Sequence, residues 1–289
     1  SLLGTATNNT VKISGGTVGG RVAGGAVINY TSVYGTVSPL NSTGNSVEIS
    51  GNATVSSNVY GGYVSLFADS YGPAPAVSAS IGNASQNTVK ISDVTLSGNA
   101  YGGYTESGTA SDNTISPTHT TASTPMQEIV GGRALIGTAS GNTVTVEQGS
   151  YFNVFGGATG SAEEYQSIDA AVSGVTENGD ATGNTLQATN SDLTLTVGGY
   201  AEAGNATGNT VRIIASQADV LADGTLPGFV AGGMTRMGNE ASGNYVTVTD
   251  HSDIAAIEGG YASLGNSAGN SVYLANSHSG LVVGGGTGS

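Results

Sequence analysis

The sequence predicts an all-β chain, a right-handed parallel β-helix (solenoid) of about nine turns with several loop insertions. Three observations lead there. A short β-like run follows an Asn nine times, at Asn9, Asn45, Asn87, Asn113, Asn142, Asn184, Asn209, Asn244 and Asn270. A Gly-Gly pair also recurs once per copy, beginning at Gly24, Gly61, Gly102, Gly131, Gly156, Gly198, Gly232, Gly259 and Gly284. Compact copies, such as Asn87 to Asn113 and Asn184 to Asn209, return every 25 or 26 residues. That period belongs to a solenoid, in which one turn cannot bury its apolar face alone. Helical alternatives fail on propensity, because the 48 glycines would each cost roughly 1 kcal/mol in a helix interior.

The first element of each copy is the strand after the Asn. Residues two and four beyond it are mostly apolar: Val11/Ile13, Val47/Ile49, Val89/Ile91, Val144/Val146, Val211/Ile213, Val246/Val248 and Val272/Leu274. Between them stand Lys12, Glu48, Lys90, Thr145, Arg212, Thr247 or Tyr273. Such alternation with β-branched residues is the period of a strand with one buried face. Lys12, Lys90 and Arg212 therefore read as a solvated face.

The second element is a strand leading into Gly-Gly. Two residues before the pair come Val22, Val59, Ala100, Ile129, Val154, Thr196, Val230, Ile257 and Val282, eight of nine apolar, so this slot points inward. The glycines suit a sharp corner, because they accept positive φ and let backbone approach backbone. The third element is the residue three before the Asn, where nothing larger than Ser appears: Ala6, Ser42, Ala84, Ala110, Ala139, Ala181, Ala206, Ala241 and Ser267. It reads as the inside of a tight corner. The Asn amides are expected to stack from turn to turn as a hydrogen-bonded ladder.

Composition narrows the function classes. Charged residues make up 9%, against about 25% in typical soluble domains. No apolar run approaches the roughly 18 residues that span a bilayer. The net charge is −14, and the six basic residues Lys12, Lys90, Arg21, Arg133, Arg212 and Arg236 are dispersed. Nucleic acid and acidic membranes are thus poor partners. The absence of Cys excludes disulfides, thiolate nucleophiles and Cys-ligated zinc.

Copies differ in length through insertions near 27–40, 64–81, 116–128, 158–178 and 214–228, and all six prolines (Pro39, Pro73, Pro75, Pro117, Pro125, Pro227) fall within them. Proline cannot serve an inner ladder, so these segments read as loops. The first two leave successive turns and are expected to bring Tyr30, Tyr34, Phe67 and Tyr71 together as a binding surface or a small satellite core. Tyr63, Tyr104, Tyr200 and Tyr261 each follow Gly-Gly and read either as an outward aromatic stripe usable for sugars or as half-buried corner packing.

Other chemistry is sparse. A glycosidase needs two carboxyl groups held about 5 to 9.5 Å apart, whereas Glu163, Glu164 and Asp169 share one loop; no catalytic residue is assigned. His251 in "TDHSD" and His278 in "NSHSG" read as corresponding turns of adjacent copies, facing each other near Asp250 and Asp253. Imidazole plus carboxylate is a metal-binding chemistry, yet turns rich in such residues are ordinary, and no metal or cofactor is assigned. His119 reads as a solvent-exposed loop residue.

The alternation of "GNTVTV" at Gly141 and "NTVKI" at Asn9 with "NVYGGY" at Asn58, "NAYGGY" at Asn99 and "IEGGYASLGNSAGNSVYL" at Ile257 resembles the passenger domains of bacterial autotransporters, the type V secreted proteins. The resemblance covers nearly the whole chain and carries no family-wide catalytic motif. It implies export through a C-terminal β-barrel and display at the Gram-negative cell surface, or release. Both termini fall inside a repeat, so the chain is expected to be an excerpt of a longer passenger. The resulting expectation is a non-enzymatic adhesin or stalk segment contacting host or bacterial surface protein or glycan. Two alternatives stay open: a polysaccharide-processing β-helix, and a self-associating aggregation module.

Overall fold

The computed structural model describes residues 4–30, 40–67, 81–122, 128–160, 179–218, 228–238 and 240–288. Among these residues the chain is all-β, without a helix and hence without one long and apolar enough to cross a membrane. Its strands pair in parallel in long stacks, a solenoid-like repeat architecture. One nine-stranded sheet collects the strand after each Asn, from Thr10–Ser14 and Ser46–Ser50 through to Tyr245–Thr249 and Ser271–Leu274. The remaining strands form a 22-stranded branched sheet. It contains the Gly-Gly strands, such as Val22–Tyr30, Val59–Phe67 and Ala100–Ser111.

Equivalent residues stack in register, Val47 on Val89 and Val89 on Ile115. The inward slots of both sheets therefore fuse into one core, with Val47, Ile49, Val89 and Ile91 meeting Val59, Ala100, Val154 and Val230. Outward residues of the nine-stranded sheet are solvated; Lys12 Nζ lies 2.8 Å from Glu48 Oε2, with both side chains largely exposed.

The nine Asn form the expected ladder. Asn45 donates from Nδ2 to Oδ1 of Asn87, and Asn87 does the same to Asn113, each at 3.0 Å. From Asn45 onward each amide also reaches back to the small residue of the preceding copy, as Asn87 Nδ2 does to the carbonyl of Ser42 at 3.0 Å. Residues such as Ala84, Ala110 and Ala139 are fully buried there, which is why nothing larger fits.

The Gly-Gly pairs need correcting. None of their glycines has positive φ; the eight pairs from Gly24 to Gly260 lie within strands and are small for reasons of space. A Cβ on Gly61 would meet the carbonyl of Gly102, and one on Gly62 would meet the Asn87 amide. Positive φ belongs instead to the residue just before each ladder Asn: Asn8, Gly44, Gln86, Asp112, Gly141, Gly183, Gly208, Gly243 and Gly269. That is the left-handed corner, suited to Gly and tolerated by Asn and Asp.

The insertions narrow as well. Strands run to Tyr30, Phe67 and Thr159, and 31–39, 68–80, 123–127, 161–178 and 219–227 lie outside the described residues. Ser116 and Pro117 are not loop residues but part of strand Thr114–Thr118. Pro117 is buried in the inward slot opposite Ile91. Pairing toward the next copy joins Thr114 to Thr143, Ile115 to Val144 and Thr118 to Glu147, skipping Ser116 and Pro117. Proline has no N–H to give the ladder there, and the Tyr151 hydroxyl lies between the Glu147 and Pro117 carbonyls, at 3.0 and 3.2 Å.

Candidate functional site

The Gly-Gly corner does more than admit the Asn. Strand alternation turns Tyr60 away from the core that Val59 enters, and the bend then brings Tyr63 round to the same side. Their ring centroids lie 4.7 Å apart. Repetition of this geometry builds a second seam, separate from the central core, from Tyr60, Tyr63, Tyr101, Val130, Phe155, Ala158, Val197, Tyr200 and Ala231.

The seam changes character along its length. In its first part Tyr60 stacks on Tyr101 at 5.2 Å and Tyr63 on Tyr104 at 5.4 Å. The guanidinium of Arg21 caps this quartet, 4.9 Å from the Tyr63 ring centre and 5.7 Å from that of Tyr60. A cation over a ring face is attracted by the ring quadrupole. Farther along, Leu195, Phe229 and Met234 pack on Val197 and Tyr200, and the seam is apolar.

A polar network flanks the quartet. Asn58 donates from Nδ2 to the Tyr60 hydroxyl, and Asn99 likewise to Tyr101, each at 2.9 Å. The backbone N–H of Asn99 reaches Asn58 Oδ1, and that of Glu128 reaches Asn99 Oδ1, also at 2.9 Å. Glu128 is buried and accepts from Arg133 Nη2 at 2.8 Å and from the Tyr101 hydroxyl at 3.0 Å. Arg133, itself 1% exposed, also donates from Nη1 to the Gly160 carbonyl at 3.0 Å. Ser65 donates to Glu106 Oε1 at 2.6 Å. Burial, reinforced by Glu128, pushes the Tyr101 phenol far above its ordinary value, and burial likewise raises Tyr60 and Tyr104. At neutral pH these three phenols are packing groups, not acids, and those of Tyr60 and Tyr101 also hydrogen-bond.

The residues singled out in the sequence divide accordingly. Tyr63 and Tyr104 join the quartet, and Tyr200 meets Phe155 edge-on at 6.1 Å. Tyr261 is half-buried beyond Met234. They share one column, but Arg133, Ala158 and Met234 interrupt it, so no continuous aromatic stripe forms. The backbones of Tyr30 and Phe67 pair in register. Tyr34, Tyr71, Glu163, Glu164 and Asp169 lie outside the described residues.

The two histidines do not correspond. His278 pairs with Asp253, its Nδ1 2.8 Å from Asp253 Oδ1, whereas the backbone of His251 donates to Asn276. His119 is exposed, 3.8 Å from Asp93. Among the described residues no group of three or more His, Cys, Asp or Glu is gathered to hold a metal ion.

Sequence reasoning missed Tyr60, Tyr101, Asn58, Asn99, Glu128 and Arg133. The signal was present in "NVYGGY" and "NAYGGY", which place tyrosines on both sides of a corner. Comparison with protein families, curated proteins and solved structures gave no match.

Proposed function

We propose that the chain is a non-enzymatic, surface-exposed adhesin or stalk segment. In this reading it is a right-handed parallel β-helix of about nine turns, built like an autotransporter passenger and presented at a Gram-negative cell surface. It contacts protein or glycan on host or bacterial cells through what projects from a rigid frame. The observation that best supports this is the pairing of Tyr30 with Phe67, from which two insertions depart side by side. Loops fixed on a rigid scaffold are common recognition sites. The frame itself spends its interior amides on its own ladder, as Asn45, Asn87 and Asn113 do.

The test is to replace 31–39 and 68–80 with short linkers. Val27, Leu40, Val64 and Ile81 must stay, because they form a buried cluster with Ala84. Binding of the purified variant to host and bacterial cells, read by flow cytometry, is expected to be lost while its circular dichroism and melting temperature hold. Full retention of binding would refute recognition by these loops.

A further inference from the structure

The outer face of the nine-stranded sheet is mostly hydroxylic. At the first outward position eight of the nine copies carry Ser or Thr, and the exception, the eighth copy, carries Tyr245. At the next outward position the last copy carries Tyr273. Tyr245 is 44% and Tyr273 54% exposed, in contrast to the buried Tyr60, Tyr63, Tyr101 and Tyr200. Register makes them diagonal neighbours, since Tyr245 pairs with Ser271 and Thr247 with Tyr273. Strands about 4.8 Å apart and a two-residue rise of about 6.8 Å put their Cα atoms roughly 8 Å apart. Arg212, exposed and paired with Thr247, completes the patch. Among the described residues neither ring packs on another aromatic and neither hydroxyl has a hydrogen-bond partner.

We propose that Tyr245, Tyr273 and Arg212 form a binding platform for a neutral oligosaccharide. Sugar rings carry apolar C–H faces and polar edges, so they need free aromatic faces set among hydroxyls. Thr210, Thr247 and Ser271 supply those hydroxyls on the same face. The occupant is not a protein anchor, because protein hot spots fill fully desolvated pockets, whereas both rings stand exposed on a hydroxylic face. A polyanionic glycan is disfavoured by the net charge of −14, which repels it at long range.

The proposal rests on the adhesin reading and refines it to one glycan class at one place. The full chain is titrated with malto-, cello- and manno-hexaose by calorimetry, and with polygalacturonate as the acidic control. Binding of at least one neutral probe is expected. Tyr245→Thr and Tyr273→Thr, which restore the residue type usual on this face, are together expected to weaken it about tenfold without lowering the melting temperature. Tyr245→Phe and Tyr273→Phe are expected to retain most of the affinity. Failure of every neutral probe, preference for polygalacturonate, or undiminished binding by the double Thr variant would each overturn the platform. The loop-shortened chain separates the two readings: the platform predicts unchanged sugar binding there, whatever happens to cell binding. Loss of sugar binding in that variant would overturn the platform alone.

Discussion

Asn142 donates from its Nδ2 to Oδ1 of Asn184, 2.9 Å away and 42 positions later in the chain. Its other N–H goes to the Ala110 carbonyl at 3.0 Å, and its own Oδ1 accepts from the backbone N and the Nδ2 of Asn113. Both donors and both lone pairs are thus used in a site without solvent. Asn142→Ala strands the two N–H groups of Asn113, and buried unsatisfied donors are costly, so about 3 kcal/mol of stability should be lost in urea unfolding. Asn142→Asp should cost at least as much at neutral pH, because a carboxylate would face the acceptors Asn184 Oδ1 and Ala110 O.

Two glycines separate space from conformation. A Cβ on Gly157 would collide with the Asn184 amide, although its φ is ordinary. Gly183 has φ 61 and nothing within 4 Å of a new Cβ. Gly157→Ala should therefore cost about 3 kcal/mol through overpacking and a displaced ladder amide. Gly183→Ala should cost about 1 kcal/mol through backbone strain, and Gly183→Asn less, since Asn8 holds the equivalent corner at φ 56. Parallel urea melts of the three variants check the order.

Periodic features were legible in the sequence because the physics repeats with them. The inward valines, the tiny residue before each Asn and the amide ladder all recur at fixed offsets, and each has the predicted place. The left-handed corner is also written there, in the Gly preceding Asn45, Asn142, Asn184, Asn209, Asn244 and Asn270, beside the more conspicuous Gly-Gly pairs, whose φ is not positive. Alternation fails across a corner. Tyr60 and Tyr63, three apart, should face opposite sides of a straight strand, yet the bend makes them neighbours. Pro117 departs from the loop that proline ordinarily marks, because the stack accepts it at the cost of a skipped ladder step. A shift of two residues likewise set His278 on Asp253 instead of on His251.

The buried pair of Glu128 and Arg133 makes a prediction of opposite signs. Removing one partner by Glu128→Ala takes from the guanidinium of Arg133, 1% exposed, the Glu128 carboxylate that it meets at 2.8 Å, and breaking a buried pair costs about 3 to 5 kcal/mol. Replacing both, as Glu128→Leu with Arg133→Met, removes the desolvated charges together. The double variant should therefore be more stable than Glu128→Ala by thermal melting, even though it carries more substitutions.

Glu258 ties stability to pH. It continues the seam beyond Ala231, its buried Oε2 has no hydrogen-bond partner among the described residues, and burial raises its pKa above the ordinary carboxylate value. The native state therefore keeps this proton to a higher pH than the unfolded chain does. As pH rises from the unfolded pKa through the raised folded one, the native state holds more protons, and stability falls across that window. Below it the group is neutral in both states and carries no penalty; above it the penalty is constant. Glu258→Gln keeps the shape and cannot ionise, so the stability gap between variant and parent should be smallest in acid, below the ordinary carboxylate pKa, and should widen in the variant's favour as pH rises through neutrality. Urea midpoints measured across that range for both proteins decide the matter: a gap that fails to widen with pH would show that the Glu258 carboxylate is not penalised in the folded chain.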